Sequence, residues 1–203
     1  MNLTDELRAE YINLFQECQV DRGNPDLHRP DRLPEVKAFT DHVKNGIARY
    51  QEIQDKTNVP WYVIGIIHGM ECGFNFETHL HNGDSLKHRT VQEPKGRPIK
   101  GEPPFSFLVS AIDALQYDGF TSWRQWDVEG ICYKLESYNG WGYRKHGINS
   151  PYLWSFSNQY HGGKYVADGI WDANAVSKQV GAIVALKQLV VDQLIALPAQ
   201  ALT

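Results

Sequence analysis

A carboxylic acid at the edge of an apolar segment is a starting point for chemistry, and this chain has one. In Ile67-His68-Gly69-Met70-Glu71-Cys72-Gly73-Phe74-Asn75-Phe76, Glu71 closes a run that is apolar on all sides and opens onto a polar stretch. Desolvation at such a place disfavours the charged form, and the C-terminal end of a helix dipole acts in the same direction. A glutamic acid kept protonated near neutral pH can serve as a general acid. Breaking a glycosidic bond needs such an acid for the leaving oxygen, and usually a second group that handles water. Asp84 is the candidate for that second role, with Thr90 as its helper; Glu93 and Glu136 are reserve carboxylates. Each has a plainer reading beside it. Asn82-Gly83 alone explains a turn that would include Asp84. Thr90, next to Val91, suits a strand, Glu93 a solvated loop, and Glu136 the surface of a helix.

The elements that would position these groups follow from hydrophobic spacing. Leu3, Leu7, Tyr11, Leu14 and Cys18 recur at helical intervals, with Thr4 as N-cap. A turn-rich stretch from Asp21 to Pro34 follows, with Gly23, Pro25 and Pro30. Val36, Phe39, Val43, Ile47, Tyr50 and Ile53 form one stripe, which predicts a second helix. Thr57 or Asn58 caps a third, buried helix that carries Val59 to Met70, although its β-branched residues would also suit a strand. From Gly73 to Gly101 glycine, proline and polar residues dominate, which predicts a small hairpin-and-loop lobe. Helices resume at Ser106 and again at Ser122, whose spacing to Gln125 is that of a capping box. Asn139 to Gly169 is a glycine- and aromatic-rich loop region, and a last helix runs from about Ala175 to Leu194 with Asn174 as cap. The expected fold class is α+β, mostly α-helical, with a small β-hairpin lobe after the helix that ends at Glu71.

Composition narrows the function classes. At 203 residues the chain suits one domain with a core of its own. Hydrophobic residues at 42% and charged residues at 22% fit a folded protein rather than a disordered one. A net charge of −4 without any basic run argues against nucleic acid as a partner. The longest apolar run, Val59 to Ile67, falls far short of the roughly 20 residues of a membrane span, so no membrane is expected as partner. Three cysteines, Cys18, Cys72 and Cys132, are too few and too scattered for a disulfide framework or a zinc knuckle. His68-x-x-Glu71 is not His-Glu-x-x-His, and His79 with His81 lacks a third ligand at a recognisable spacing, so neither a metal nor a cofactor is expected. Residues Met1 to Glu10 carry acids where a signal peptide would be basic and then apolar. The expectation is a monomer made in the cytoplasm. The aromatic load of 12%, much of it among glycines in the second half, suits either a sugar-lined groove or an aromatic core.

Three segments resemble a known group. Glu71-Cys72-Gly73-Phe74-Asn75 is similar to the Glu-Ser-x-Phe-Asn segment of soluble lytic transglycosylases and goose-type lysozymes. Tyr138-Asn139-Gly140-Trp141-Gly142 resembles their Tyr-Asn-x-Gly segment, and Asp84-x5-Thr90 resembles the Asp-x5-Thr step of phage lysozymes. The resemblance spans residues 57 to 170. The Gly-Leu-Met-Gln segment of the transglycosylases is missing, which favours a hydrolase. The resemblance implies a two-lobed lysozyme-like fold over 1–203, with 1–55 as accessory helices and 57–195 as catalytic core. It implies hydrolysis of β-1,4 bonds in bacterial peptidoglycan by an endolysin-type enzyme acting on the cell wall after release or export. Glu71 would be the acid, with Asp84 and Thr90 beside it. Tyr138, Asn139, Trp141, Tyr143, Asn158 and Tyr160 are the candidate contacts to the glycan strand; the two asparagines would bond an acetamido group or else simply cap loops. Two or three of the aromatics are expected to face the cleft and the others to pack the core. The same fold would also accommodate a lytic transglycosylase, a chitosanase or chitinase, or a silent glycan-binding module.

Overall fold

The computed structural model describes residues 1–24, 26 and 30–197. Pro25, part of the turn expected from Asp21 to Pro34, lies outside them. The described residues form eight α-helices: α1 (Asp5–Glu17), α2 (Leu33–Asn45), α3 (Ile47–Thr57), α4 (Trp61–Cys72), α5 (Phe107–Tyr117), α6 (Val128–Asn139), α7 (Pro151–Trp154) and α8 (Ala182–Val191). Strands β1 (Lys164–Ala167) and β2 (Ile170–Asp172) pair antiparallel, with a register shift between Tyr165 and Ala167. The architecture is α+β and mostly helical.

Two compact units divide the chain: Met1–Thr40 with the chain from Gln125 onward, and Asp41–Arg124. This partition differs from a split near residue 55, because α1 packs against α6 and so returns the N-terminus to the second half of the chain.

In the first unit Thr4 caps α1 as its type suggests, accepting the Leu7 amide at 3.3 Å. The stripe of α1 buries Leu7 and Tyr11. α6 packs on α7 and α7 on α8, whose residues Ala182 to Leu186 have no exposed surface. In the second unit α3 packs against both α4 and α5. α4 buries every residue from Val63 to Met70. Each Val or Ile among them gains about 1.5–3 kcal/mol from leaving water, which fixes this helix as the centre of its unit.

Several expected elements are corrected. The hairpin lies at residues 164–172, not after Glu71. From Gly73 to Phe105 the chain forms turns and a single bridge, Thr78 to Ser85. Prolines there withhold amide donors, and side chains of Asp84 and Thr90 take up backbone amides that a ladder would use. The stripe from Val36 to Ile53 is two helices broken at Gly46, where the Tyr50 ring occupies the space of a side chain. A Cβ on Gly46 would stand 2.3 Å from Tyr50 Cε2. The helix expected from Ser122 begins at Val128, because Asp127 caps it through the Gly130 amide (2.8 Å) while Ser122 donates to Gly119 O instead. The last helix starts at Ala182, seven residues later than Ala175.

Candidate active site

The site is built on the C-terminal end of α4. Gly73 caps the helix in the left-handed conformation at φ 56°, returning its amide to Gly69 O and His68 O, a geometry that glycine adopts without a Cβ penalty. Phe74 continues in the same region at φ 64°, so the chain reverses sharply behind Glu71. Asn75 then organises the next turn, accepting the Glu77 amide at 3.0 Å through its side chain and the Thr78 hydroxyl at 2.8 Å through its carbonyl. Glu71 is half-buried at this reversal.

Beneath it lies His68, with no exposed surface. Its Nδ1 meets the Tyr50 hydroxyl at 2.9 Å, and its ring lies 4.5 Å from both Phe76 and Phe107. Nε2 has no hydrogen-bond partner among the described residues. Burial pushes its pKa down to about 4, against a pull from the Asn75 backbone. The ring is therefore a neutral part of the core. The unfolded chain has the ordinary value near 6.5, so its stabilising share is complete above that pH and lost as pH falls toward about 4. A shift of this size amounts to about 3 kcal/mol. Urea unfolding at pH 7 and pH 4 should show a fall in stability that is smaller by about that amount in His68→Leu; equal falls in both proteins would contradict the buried neutral imidazole.

The Asp84 turn abuts the end of α4. Cys72 Sγ donates to His79 O at 3.1 Å, and a Cβ built on Gly83 would stand 3.7 Å from the Glu71 carbonyl oxygen. Asp84 Oδ2 accepts the amides of Val91 (2.8 Å) and Gln92 (3.0 Å) and the Asn82 side chain (3.1 Å); Oδ1 accepts only a longer bond, 3.3 Å, from the Gln92 side chain. The Gln92 amide foremost, with those of Val91 and Asn82, holds the Asp84 carboxyl below the usual range and outweighs the opposing effect of burial. Asp84 is thus an anion with one oxygen committed to its loop.

Thr90 is buried and its polar groups are committed too. Its hydroxyl donates to Pro94 O and accepts the Arg97 amide at 2.9 Å, so the group expected to help hold water shapes the loop instead. Glu93 is exposed, as a solvated loop residue would be. Under the same loop, His81 Nε2 and Arg97 Nε both reach Asp113 Oδ2 at 2.8 Å, and His79 bridges Ser110 Oγ to His88 O. This network was hidden in the sequence. Its signal is the pairing of His79-x-His81, in a turn, with Ser110-x-x-Asp113, on one face of a helix. Among the described residues no group of three His, Cys, Asp or Glu side chains is arranged to hold a metal ion. No helix among them is long and apolar enough to cross a membrane.

The expected sugar contacts belong to the other unit. Asn158 spans the end of α1, accepting the Gln19 amide at 2.8 Å and donating to Glu17 O at 3.1 Å. Tyr160 is buried, and its hydroxyl donates to Gly163 O (3.0 Å) while accepting the Ser177 amide (3.3 Å). These two side chains are tied into the scaffold. Asn139 and Tyr143 share a cavity of about 310 Å³ with Tyr152 and Lys164. Tyr138 lies 6.1 Å from the Tyr152 ring, and Trp141 lies 5.3 Å from Tyr133. Glu136 is not a surface charge: it is 3% exposed, bonded by Tyr11 at 2.5 Å and gripped by Arg144 through two bonds of 2.8 Å. Compared with protein-family models, curated proteins and solved structures, the chain matches none of them.

Proposed function

We propose that this protein is a lysozyme-like glycosidase that hydrolyses β-1,4 bonds in the glycan strands of bacterial peptidoglycan, with Glu71 as general acid. The observation that carries the reading is the junction at the end of α4. A half-buried glutamic acid lies at the end of a helix whose residues from Val63 to Met70 are all buried, and a turn bearing an ionised aspartate abuts that end. Glu71 protonates the glycosidic oxygen as the bond to the leaving sugar breaks. Asp84, held below the usual carboxylate range, is a weak base. That supports an electrostatic role, in which it stabilises the oxocarbenium-like charge and orients the attacking water through Oδ1. Thr90 enters only as a residue that shapes the loop. Asn139, Tyr143, Tyr138 and Trp141, whose side chains are at least partly open to solvent, are a proposed glycan-contacting face of their own unit. The lysozyme-like fold class and action on the cell wall after release or export belong to this same proposal.

Digestion of purified murein tests it. Hydrolysis leaves reducing ends with a mass gain of one water per cut; a transglycosylase leaves an anhydro ring and no gain. Mass spectrometry of the fragments is expected to show the hydrated ends. Anhydro products would replace the hydrolase with a transglycosylase. Unchanged strand lengths, or cleavage confined to chitosan or chitin, would remove the murein reading.

A further inference from the structure

α5 buries Phe107, Ala111, Ala114 and Leu115, and with them two polar residues, Ser110 and Asp113. A polar group in such a place is costly unless it is bonded. Both are bonded, and to the same loop. We propose that Asp113 is a positioning residue: through Oδ2 it holds both flanks of the Asp84 loop and so fixes where Asp84 stands beside the end of α4. The inference rests on the reading of Asp84 as the group that works with Glu71, and goes beyond it by naming what keeps that group in place.

The upstream flank is tied at residues 79–81. His81, three residues before Asp84, donates from Nε2 to Asp113 Oδ2 at 2.8 Å. Its Nδ1 has no hydrogen-bond partner among the described residues, so Asp113 alone orients the ring by hydrogen bonding. One turn back along α5, Ser110 Oγ accepts the Leu80 amide at 3.3 Å and meets His79 Nδ1 at 2.8 Å. The His79 amide in turn donates to Asp84 O at 2.6 Å.

The downstream flank is tied at Arg97, whose Nε donates to the same Asp113 oxygen at 2.8 Å. Arg97 and Thr90 hold each other twice: the Arg97 amide donates to the Thr90 hydroxyl at 2.9 Å, and the Thr90 amide donates to Arg97 O at 2.8 Å. Val91 follows directly, and its amide meets Asp84 Oδ2 together with that of Gln92. The path from Asp113 to Asp84 is therefore unbroken on either side, and it lies wholly within one compact unit.

Charge explains why an acid stands at this point. One oxygen serves two N–H donors, one of them on a guanidinium, and a carboxylate is the strongest acceptor for such a pair. Burial foremost, with His79 and Arg97 in support, lowers the His81 pKa against the pull of Asp113. The ring is thus neutral near pH 7 and gives its one N–H to the carboxylate. The Arg97 guanidinium also lies 4.9 Å from the Tyr117 ring at the end of α5, a second hold on this side chain.

The test reads Asp84 directly by NMR of the full chain with isotope-labelled aspartate, its carboxyl signal identified by its loss in Asp84→Asn. Wild type should titrate below the usual range. In Asp113→Ala the midpoint should rise toward the ordinary value of about 3.9, because the Val91 and Gln92 amides are no longer held in place. Cleavage of soluble glycan fragments should lose about 10- to 100-fold in kcat with KM changed less than about threefold, the pattern of a displaced reacting group. Asp113→Asn keeps an acceptor oxygen at the same point and should recover most of both losses. Adding Asp113→Ala to Asp84→Asn should cost nothing further, since the effect runs through Asp84. If Asp113→Ala does not fold, Arg97→Met severs the downstream flank alone and should raise the same midpoint. A midpoint that stays low in a folded variant would overturn the proposal, and so would losses that multiply in the double variant. A full rate in Asp84→Asn would sink the reading of Asp84, while a raised midpoint would leave the anchoring by Asp113 standing.

Discussion

Replacing Glu71 by glutamine is expected to leave folding unchanged and to cut the wall-lysing rate by about 10²–10⁴-fold, the range that general acid catalysis supplies. Glutamine has the same shape and can keep a hydrogen bond, but it cannot give up a proton at neutral pH. Glu71 lies at the helix end rather than in the fully buried stretch Val63 to Met70, so the packing of α4 does not depend on its charge. The rate of turbidity loss in murein suspensions gives the activity, and thermal unfolding by circular dichroism gives the fold. A shorter acid separates chemistry from bulk charge. Glu71→Asp keeps the carboxyl but withdraws it by one methylene, and misplacement near 1 Å costs up to about 10²-fold. The expected order is wild type, then Asp, then Gln. A glutamine variant that retains more than about a tenth of the rate would reject Glu71 as the acid, since the loss would then fall short of a general acid's contribution.

What sequence can reveal about such a site is set by the range of the interactions. The caps at Thr4 and Ser106 and the buried stretch after Pro60 are local, and their residue types name them directly. The position of Glu71 at the end of α4 is legible for the same reason. Apolar composition predicts burial of the helix, and the change to Gly73-Phe74-Asn75 marks where it stops. Gly46 is different. Its break in the stripe depends on where the Tyr50 ring packs, and spacing alone runs through it. Ser122 and Gln125 satisfy a capping pattern, yet Gln125 accepts from Arg8 across more than a hundred residues and Asp127 takes the cap. The loop from Gly73 to Phe105 is held by side chains bonding to backbone, which leaves no periodicity to read. Thr90, Asn158 and Tyr160 are the types that bind sugars, but the same hydroxyl and amide groups serve equally well to tie loops. Only the partners in space decide between those roles.

Glu136 shows the consequence most strongly, and it carries the largest effect on stability. Arg144→Met is expected to destabilise the protein by about 3 kcal/mol, the low end of the cost of breaking a buried ion pair, because Arg144 keeps partial access to water. Burial alone would pull the Arg144 guanidinium down, yet Glu136 and Glu10 outweigh it and the net direction is upward. Burial first, and then Glu136, push the Tyr11 hydroxyl up, so it stays protonated and donates. Without Arg144, Glu136 keeps one donor and an uncompensated charge in the contact between α1 and α6. Methionine keeps a flexible apolar side chain but removes the guanidinium, which also stands 5.5 Å from the Tyr11 ring and 5.7 Å from the Trp141 ring, so the loss reports the charged head and not a large cavity. The double variant Glu136→Gln with Arg144→Met removes both charges and should recover more than half of the loss, as replacing a buried pair by neutral groups commonly does. Urea unfolding of the three proteins measures this. A single variant within about 0.5 kcal/mol of wild type would mean that the pair behaves like a surface salt bridge. The pair also links two segments that matter to the glycosidase reading. Arg144 lies in the short turn Gly142–His146, directly after Tyr138-Asn139-Gly140-Trp141, and anchors it to α6 through Glu136. A variant that is weakened in stability but folded at low temperature should therefore bind soluble glycan fragments less tightly at Tyr138-Asn139-Gly140-Trp141, and a titration with unchanged affinity would contradict that role.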